Sequence, residues 1–146
     1  MIYSAYFFWD AFEEAREHFK EAAERGVEAI GLFAGRVYSF QGGEYLVAEE
    51  YVTAENDSSA LHTRFAREAF TEIAEKYSGK PFVVWAHSHP DYGAFMSSQD
   101  LAAHNSFFDE PYHLALVIDP VRGEEKLFKV EGEKYCPVPF AVVKKK

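Results

Sequence analysis

The sequence has little cysteine, no excess of positive charge and no long hydrophobic run, and each absence excludes a class of protein. Cys136 is the only cysteine in 146 residues, which excludes an internal disulfide framework and predicts a reducing, cytoplasmic location. We expect this thiol to be a small core residue. The formal net charge of -9 at pH 7 argues against nucleic-acid binding, which needs a basic face. No run of about 18 apolar residues is present, so no membrane span is expected.

The sequence does contain enough apolar surface for one folded domain. Hydrophobic residues make up 48% and aromatic residues 17% of the chain, so residues 1–146 are expected to form a single α/β domain. Apolar periodicity predicts a central mixed sheet flanked by helices. The first helix is expected to open at Asp10 in a capping box with Glu13 and to end at Gly26. The other predicted elements are strands over 27–40 and 44–53 joined by Gln41-Gly42-Gly43, a helix over 61–77, a strand over 80–89, a helix over 97–107, and strands near 112–119, 126–131 and 138–143.

The most informative stretch begins with His87-Ser88-His89-Pro90 at the end of a predicted strand. The strand pattern over 80–89 is rich in β-branched and aromatic residues, as in a buried strand. Side chains at i and i+2 of a strand share a face, so His87 and His89 can converge while Ser88 points away. Pro90 then stops the strand.

A carboxylate follows at Asp100. A loop over 91–96 and a helix over 97–107 bring Asp100 back from the first helical turn. Two imidazoles and one carboxylate leave one position open on a metal ion, which is what a catalytic zinc needs. Two plainer interpretations stay open. An H-x-H pair on a strand is often ordinary polar decoration, and S-x-x-D before a helix is also a capping box, with Ser97 as the cap.

In this order and spacing the residues resemble the JAMM (MPN+) metalloproteases, zinc isopeptidases that remove ubiquitin or ubiquitin-like proteins from their targets. The family pattern is an upstream glutamate, then H-S/T-H-P, a spacer and S-x-x-D. Residues 94–101 are especially similar to the segment found in endosome-associated deubiquitinases of that family. Residues 28–35 look like its E-x-x-G-L-x-x-G, and residues 113–120 look like its core strand after the metal helix.

The resemblance implies a cytidine-deaminase-like MPN/JAMM fold and one Zn2+ per chain, held by His87, His89 and Asp100. Glu28 would be the catalytic base, because water activated by zinc still needs a proton acceptor that is not a ligand. Ser97 would donate a hydrogen bond to the developing oxyanion, cap its helix, or do both in turn. No cluster of further His and Cys residues follows Asp100, so a second, structural zinc is not expected.

Substrate recognition is expected to involve the loop that follows the two histidines. A cleft that cleaves an isopeptide bond must admit a narrow Gly-Gly tail, and a strand edge is the natural way to hold it. Tyr92 and Phe95 are expected to close over the two glycines, and the loop over 54–59 to order beside the tail. The plainer interpretation of Phe95 is that it packs the loop onto the domain. His62 and His104 have no partner pattern and are expected at the surface or the edge of the core.

The chain departs from the family pattern at three positions near the motif. Val84 stands where many members have glycine, Ala86 where an aromatic residue is common, and Asp91 where glycine or a small polar residue is frequent. None is a proposed ligand. All three are expected to line the approach to the metal and so to affect substrate preference.

The resemblance leaves three classes of function. The first is an isopeptidase that hydrolyses the bond after the C-terminal diglycine of a ubiquitin-like modifier. The second is a peptidase that processes a ubiquitin-like sulfur-carrier protein with the same residues. The third, a non-catalytic MPN scaffold, is disfavoured because scaffold members usually lose a ligand and none is lost here. The expected partners are ubiquitin-like protein conjugates, with no nucleic acid and no membrane, and a homodimer is left open.

Overall fold

The structure is a computed structural model that describes residues 3–53, 63–77 and 79–144. Within these ranges the chain forms eight strands and three helices. In chain order they are β1 (Ala5–Phe8), α1 (Trp9–Glu24), β2 (Ile30–Phe40), β3 (Gly43–Thr53), α2 (Thr63–Lys76), β4 (Phe82–Ser88), α3 (Ser98–Phe107), β5 (Leu114–Asp119), β6 (Glu124–Glu131), β7 (Lys134–Val138) and β8 (Phe140–Val143). No helix in the described part of the chain is long and apolar enough to cross a membrane.

All eight strands join one mixed sheet in the order β7-β6-β5-β4-β2-β3-β1-β8. Near its middle, β4 is antiparallel to β2 and parallel to β5. The strands β7 and β8 stand at opposite edges, although only Pro139 separates them in the chain. Two Cα steps span about 7 Å at most, so the two edges come together there. The sheet must therefore curl on itself.

Helix α1 lies on the concave side of the curled sheet. Its contacts extend from β8 and β1 through β3 to β4 and β5, which only a helix inside the curl can reach. The apolar stripe of α1 is buried at helical spacing, and its members are Ala11, Phe12, Ala15, Phe19 and Ala22. Phe7, Phe33 and Leu46 of the sheet pack against this stripe and complete an inner core. Burying each Phe contributes about 1.5–3 kcal/mol, which is what holds the helix in place.

Helices α2 and α3 cover the opposite face of the sheet's centre. An outer core there joins Ile30 and Leu32 of β2, Trp85 of β4, and Phe70 of α2. Trp85 is fully buried, and the ring of Phe70 meets it edge-on with centroids 5.9 Å apart. Side chains alternate along a strand, so His87, two positions after Trp85, also faces this outer side.

The predicted mixed sheet flanked by helices is confirmed, but the start of the first helix was wrong. The chain first forms β1, which the sequence pattern did not predict. Helix α1 then begins at Trp9, and its N-cap Phe8 makes no side-chain capping bond. The capping box from Asp10 to Glu13 therefore does not form. Asp10 instead lies in the first turn, where its charge is favourable at the positive end of the helix dipole.

Three further expectations meet different outcomes. The hairpin between β2 and β3 is confirmed, with Gln41 and Gly42 both at positive φ, 49° and 79°, as a two-residue hairpin turn requires. The single strand over 138–143 is wrong, because it is split between β7 and β8. Cys136 is exposed on the edge strand β7, so its placement in the core is also wrong.

Two of the departures from the family pattern also prove to be core positions. Val84 and Ala86 are fully buried in the inner core. The expectation that they line the approach to the metal was therefore wrong, because alternation along β4 turns them toward α1.

Gly31 and Gly35 of β2 lie where the sheet leaves no room for a side chain. A Cβ at Gly35 would stand 1.8 Å from the carbonyl oxygen of Val47, and one at Gly31 would stand 2.2 Å from the hydroxyl of Tyr51. These approaches explain both glycines of the E-x-x-G-x-x-x-G stretch. The close approaches at Gly31 and Gly35 hold β2 against β3, and β2 also pairs with β4.

We predict that Gly35→Ala destabilises the protein by roughly 1–3 kcal/mol or more, because the added methyl group collides with backbone rather than with a movable side chain. Gly43→Ala is the matched control, since its Cβ would meet only the carbonyl oxygen of Phe40 at 3.7 Å. The measurement is the free energy of unfolding in urea. Equal stability of the two variants would contradict the close approach at Gly35.

Candidate metal centre

His87 and His89 lie where β4 ends in the middle of the sheet. The backbone N–H of His89 donates to the carbonyl oxygen of Ile118 in β5 at 3.0 Å. Ser88 points to the opposite face, where its hydroxyl accepts the N–H of Ala29 at 2.9 Å. The two imidazoles therefore share one face, as the strand pattern predicts. Their Nε2 atoms are 3.2 Å apart, and both rings are buried.

Asp100 reaches the same point from the first turn of α3. Ser97 is the N-cap of this helix: its Oγ accepts the N–H of Asp100 at 3.1 Å, and its own N–H donates to Oδ2 of Asp100 at 2.8 Å. The same Oδ2 lies 3.0 Å from Nε2 of His87 and 3.1 Å from Nε2 of His89. The capping box is thus real, and it aims the carboxylate at the two histidines. Capping the helix and presenting Asp100 as a candidate metal ligand are therefore compatible roles of the S-x-x-D segment.

The three candidate ligand atoms have the spacing of a tetrahedral metal site. With bonds of about 2.0–2.1 Å, tetrahedral angles place neighbouring ligand atoms about 3.3 Å apart. The observed separations are 3.2, 3.0 and 3.1 Å. Within the described ranges, His87, His89 and Asp100 are the one group of three or more His, Cys, Asp or Glu residues whose ligand atoms converge in this way.

His89 has the protonation pattern that a metal ligand needs. Its Nδ1 lies 3.0 Å from the carbonyl oxygen of Gly93, which can only accept, so Nδ1 carries the proton. In the neutral tautomer that carries this proton, the ring presents the lone pair of Nε2 to His87 and to the carboxylate of Asp100. Electron-pair donors that face one another in a buried site repel unless a cation or a shared proton lies between them. This buried His-His-Asp group therefore fits a bound metal.

Burial and the charge of Asp100 oppose each other at the two histidines. Burial prevails at His87 and lowers its pKa. Burial also acts to lower the pKa of His89, but the hydrogen bond and charge of Asp100 outweigh it, and the pKa is raised. Burial acts to raise the pKa of Asp100, but the two imidazoles hold it well below its usual range. Asp100 is therefore an anion that attracts a cation.

Asp119 organises the loop that follows β4, a role that the sequence pattern did not predict. This fully buried side chain accepts four backbone N–H groups at 2.7–3.0 Å, those of Asp91, Gly93, Val121 and Arg122. Burial acts to raise its pKa, but these bonds outweigh burial and lower it. Because the carbonyl of Gly93 fixes His89, Asp119 supports that ligand indirectly. The available signal was an Asp-Pro pair at a strand end, which favours a turn.

Tyr92 and Phe95 lie against His89 at the open side of the group. The ring of Tyr92 stacks on His89 with centroids 4.7 Å apart, and Phe95 meets the same ring at 4.8 Å. Tyr92 is 43% exposed and Phe95 is 39% exposed. The hydroxyl of Tyr92 donates to the carboxylate of Glu28. We call these three residues, Glu28, Tyr92 and Phe95, the mouth of the site.

Glu28 reaches the mouth because of how β2 pairs with β4. Ile30 pairs with His87 in an antiparallel register, and the N–H of Ser88 donates to the carbonyl oxygen of Ala29 at 3.0 Å. Continuing this register places Glu28 opposite His89, on the same face as Ile30. Its charge acts to raise the pKa of His89. The structure therefore brings Glu28 beside the His-His-Asp group without making it a member.

Other candidate residues lie elsewhere. His104 is buried, which corrects its expected place at the surface or core edge, and burial lowers its pKa to about 4. Asp91 has a φ of 68°, in the left-handed region that glycine prefers, which accounts for the glycine that the family pattern has there. The loop over 54–59 and His62 lie outside the described residues.

The curled sheet and its buried His-His-Asp group define an α/β domain built around a candidate metal site at the end of a central strand. Residues 8–130 match the family model of prokaryotic homologs of the JAB domain. The chain belongs to this family and is a JAMM/MPN domain of the prokaryotic type, as the sequence motifs predict. Membership in this family supports the assignment of the protein as a JAMM-type hydrolase.

Several relatives of this chain are larger proteins. The chain is 28% identical over 108 residues to COP9 signalosome complex subunit 5 of Candida albicans, covering 66% of this chain and 17% of that protein. It is 29% identical over 109 residues to a STAM-binding protein-like protein of Xenopus laevis, covering 73% and 25%. It is 31% identical over 96 residues to NAD(+) hydrolase TcpA of a Theionarchaea archaeon, covering 64% and 28%. The chain thus spans less than a third of the length of each.

A solved structure supports the fold independently. A protein of Desulfitobacterium hafniense known from a solution structure aligns with a TM-score of 0.63 at 20% sequence identity. The alignment covers 97% of this chain and 94% of that one, so the likeness extends over the whole architecture.

We predict that the purified protein binds one zinc ion per chain and that His87→Ala abolishes this binding, because a two-ligand site has poor geometry and affinity. His18→Gln is the control, since His18 lies on α1 and bonds to Tyr51 instead. Elemental analysis after zinc reconstitution measures the stoichiometry. A wild-type content near zero, or unchanged binding in His87→Ala, would remove the assignment.

Proposed function

We propose that the protein is a zinc-dependent isopeptidase or peptidase that hydrolyses the bond after the C-terminal diglycine of a ubiquitin-like modifier. The observation that carries the proposal is the placement of Glu28, a carboxylate outside the His-His-Asp group, directly at its open side. A scaffold needs no such base. The resemblance to JAMM isopeptidases supplies the substrate class, and family membership supports hydrolysis.

The chain's own residues divide the chemistry among them. When bound by His87, His89 and Asp100, zinc supplies a Lewis acid that polarises the scissile carbonyl and activates water. Glu28 accepts a proton from the attacking water and delivers it to the leaving amine. The hydrogen bond from Tyr92 orients this carboxylate while no substrate is present.

Ser97 is suited to a second role beside its cap. Its Oγ accepts the N–H of Asp100, and a hydroxyl that accepts one bond still has its own proton to donate. We assign that proton to the oxyanion that develops on the scissile carbonyl. The cap fixes the position of Oγ in advance, so donation needs no rearrangement of the helix.

The mouth favours a substrate tail without side chains. Tyr92 and Phe95 present exposed ring surface next to a buried ligand, so the reacting carbonyl must pass close to both rings. Two glycines allow that approach. Processing of a ubiquitin-like sulfur carrier is the alternative, since its tail would enter by the same route.

The first functional prediction concerns the base. Glu28→Gln keeps the shape of the side chain but cannot accept the proton, so turnover should fall by roughly 100-fold or more. Zinc content and the thermal unfolding midpoint should stay close to wild type. Glu24→Gln, on the exposed end of α1, is the control and should retain full turnover. Loss of zinc from Glu28→Gln would make Glu28 a ligand, and full activity would assign the base to another carboxylate.

The second functional prediction concerns the diglycine tail of the modifier. Replacing the penultimate glycine of the modifier with valine should abolish cleavage, because its side chain collides with the mouth. Tyr92→Ala should raise KM by roughly 3- to 10-fold, the value of one aromatic contact, and lower kcat less. Tyr92→Phe keeps the ring but removes the bond to Glu28, so its KM should stay near wild type. Efficient cleavage of the valine-bearing tail would contradict a diglycine channel and favour a wider peptide substrate.

A further inference from the structure

His87 is held differently from His89. A metal-binding histidine usually donates its second ring nitrogen to a carbonyl or carboxylate, which fixes the plane of the ring. His89 does so through Gly93. Among the described residues, Nδ1 of His87 is the one buried side-chain nitrogen or oxygen without a hydrogen-bond partner. No hydrogen bond to the second ring nitrogen therefore fixes the plane of His87 in the way that Gly93 fixes His89.

The indole of Trp85 stacks on the face of the His87 imidazole. Its ring lies parallel to the imidazole of His87, with centroids 4.6 Å apart and planes 16° from parallel. Both side chains are fully buried on the outer face of β4. Rotation of the imidazole would break this stacking, so the plane of His87 follows the plane of Trp85.

Trp85 is fixed in turn by α3. Its Nε1–H donates to Nδ1 of His104 at 2.9 Å. Phe108 lies parallel to the indole at 5.9 Å, with planes 6° apart. His104 follows Asp100 by one helical turn, so one helix carries both a candidate ligand and the acceptor that fixes the indole.

We propose that Trp85 and His104 are positioning residues that hold the imidazole of His87 at the angle needed to bind the metal. The proposal rests on the metal site proposed above. Burial keeps His104 neutral near pH 7, with its pKa at about 4, so that Nδ1 is free to accept the indole N–H. The helix then sets two ligands at once: Asp100 directly, and His87 through His104 and Trp85.

The test begins with the hydrogen bond itself. The chain has two tryptophans, and Trp9 is 45% exposed on α1. A Trp9→Phe background leaves Trp85 as the sole source of an indole N–H signal in a proton–nitrogen NMR spectrum. That proton should exchange slowly with solvent, and His104→Leu should remove the bond and accelerate its exchange. His104→Asn should restore protection, because an amide oxygen can take the place of Nδ1.

Zinc affinity then tests the consequence for the metal. Competition with a chromophoric chelator should give a Kd that is 10- to 100-fold weaker in His104→Leu, the usual effect of losing support behind a ligand. His104→Asn should lie within about 3-fold of wild type. In the Co2+-loaded protein, His104→Leu should also change the visible absorption bands, because they report ligand geometry. Leu46→Ala is the control, since it opens the inner core and touches neither Trp85 nor His87.

The outcomes separate this inference from the proposed function. In one outcome, His104→Leu keeps wild-type zinc affinity while its unfolding midpoint falls as in Leu46→Ala. That result would show that His104 only packs the core, and it would overturn the inference while the metal site stands. Equal weakening in His104→Leu and His104→Asn would also overturn it, because the acceptor would then be irrelevant. A wild-type protein that binds neither zinc nor cobalt would overturn both proposals.

Discussion

One oxygen atom, Oδ2 of Asp100, is the point on which the rest of the site depends. It lies within 3.1 Å of both imidazole Nε2 atoms and also accepts the N–H of Ser97. A buried carboxylate is costly unless it is paired and hydrogen-bonded, and here the partners come from the end of β4 and from the N-cap of α3. The strand end, the loop and the helix must all be in place before the charge is satisfied. The geometry that satisfies it is also the triangle of donors that a tetrahedral metal requires.

The fold meets this requirement by placing the site at the centre of the sheet rather than at an edge. β4 is fixed on both sides, by β2 and by β5, so its last residues cannot fray. The buried carboxylate of Asp119, at the end of β5, accepts backbone N–H groups of Asp91 and Gly93 and so holds the loop after β4 in place. Two buried carboxylates thus have separate roles: Asp100 faces the candidate metal position, and Asp119 shapes the loop whose carbonyl fixes His89.

The sequence was a good guide to residues whose placement depends on local geometry. His87 and His89 converge because a strand alternates, and Asp100 points inward because a capping box aims it. Contacts between distant segments could not be predicted in this way. The pairing of β1 with β8, the four N–H groups that donate to Asp119 and the bond from Trp85 to His104 each depend on how separate segments pack together. Cys136 was misplaced for the same reason, since its exposure depends on β7 being an edge strand.

The register between β2 and β4 explains why a glutamate so far upstream in the sequence lies beside the His-His-Asp group. With Ile30 opposite His87, Glu28 falls opposite His89 and on the face that carries both imidazoles. A slip of one residue would turn Glu28 to the face of Ser88, away from any metal. The glycines that follow Glu28 oppose such a slip, because Gly35 admits the carbonyl of Val47 at a distance where no Cβ could stand. A displacement of β2 by one residue against β3 would put the side chain of Ala34 or Arg36 there. The spacing from Glu28 to Gly35 is therefore a packing constraint that holds β2 against β3, and the pairing of β2 with β4 places Glu28 beside the candidate ligands.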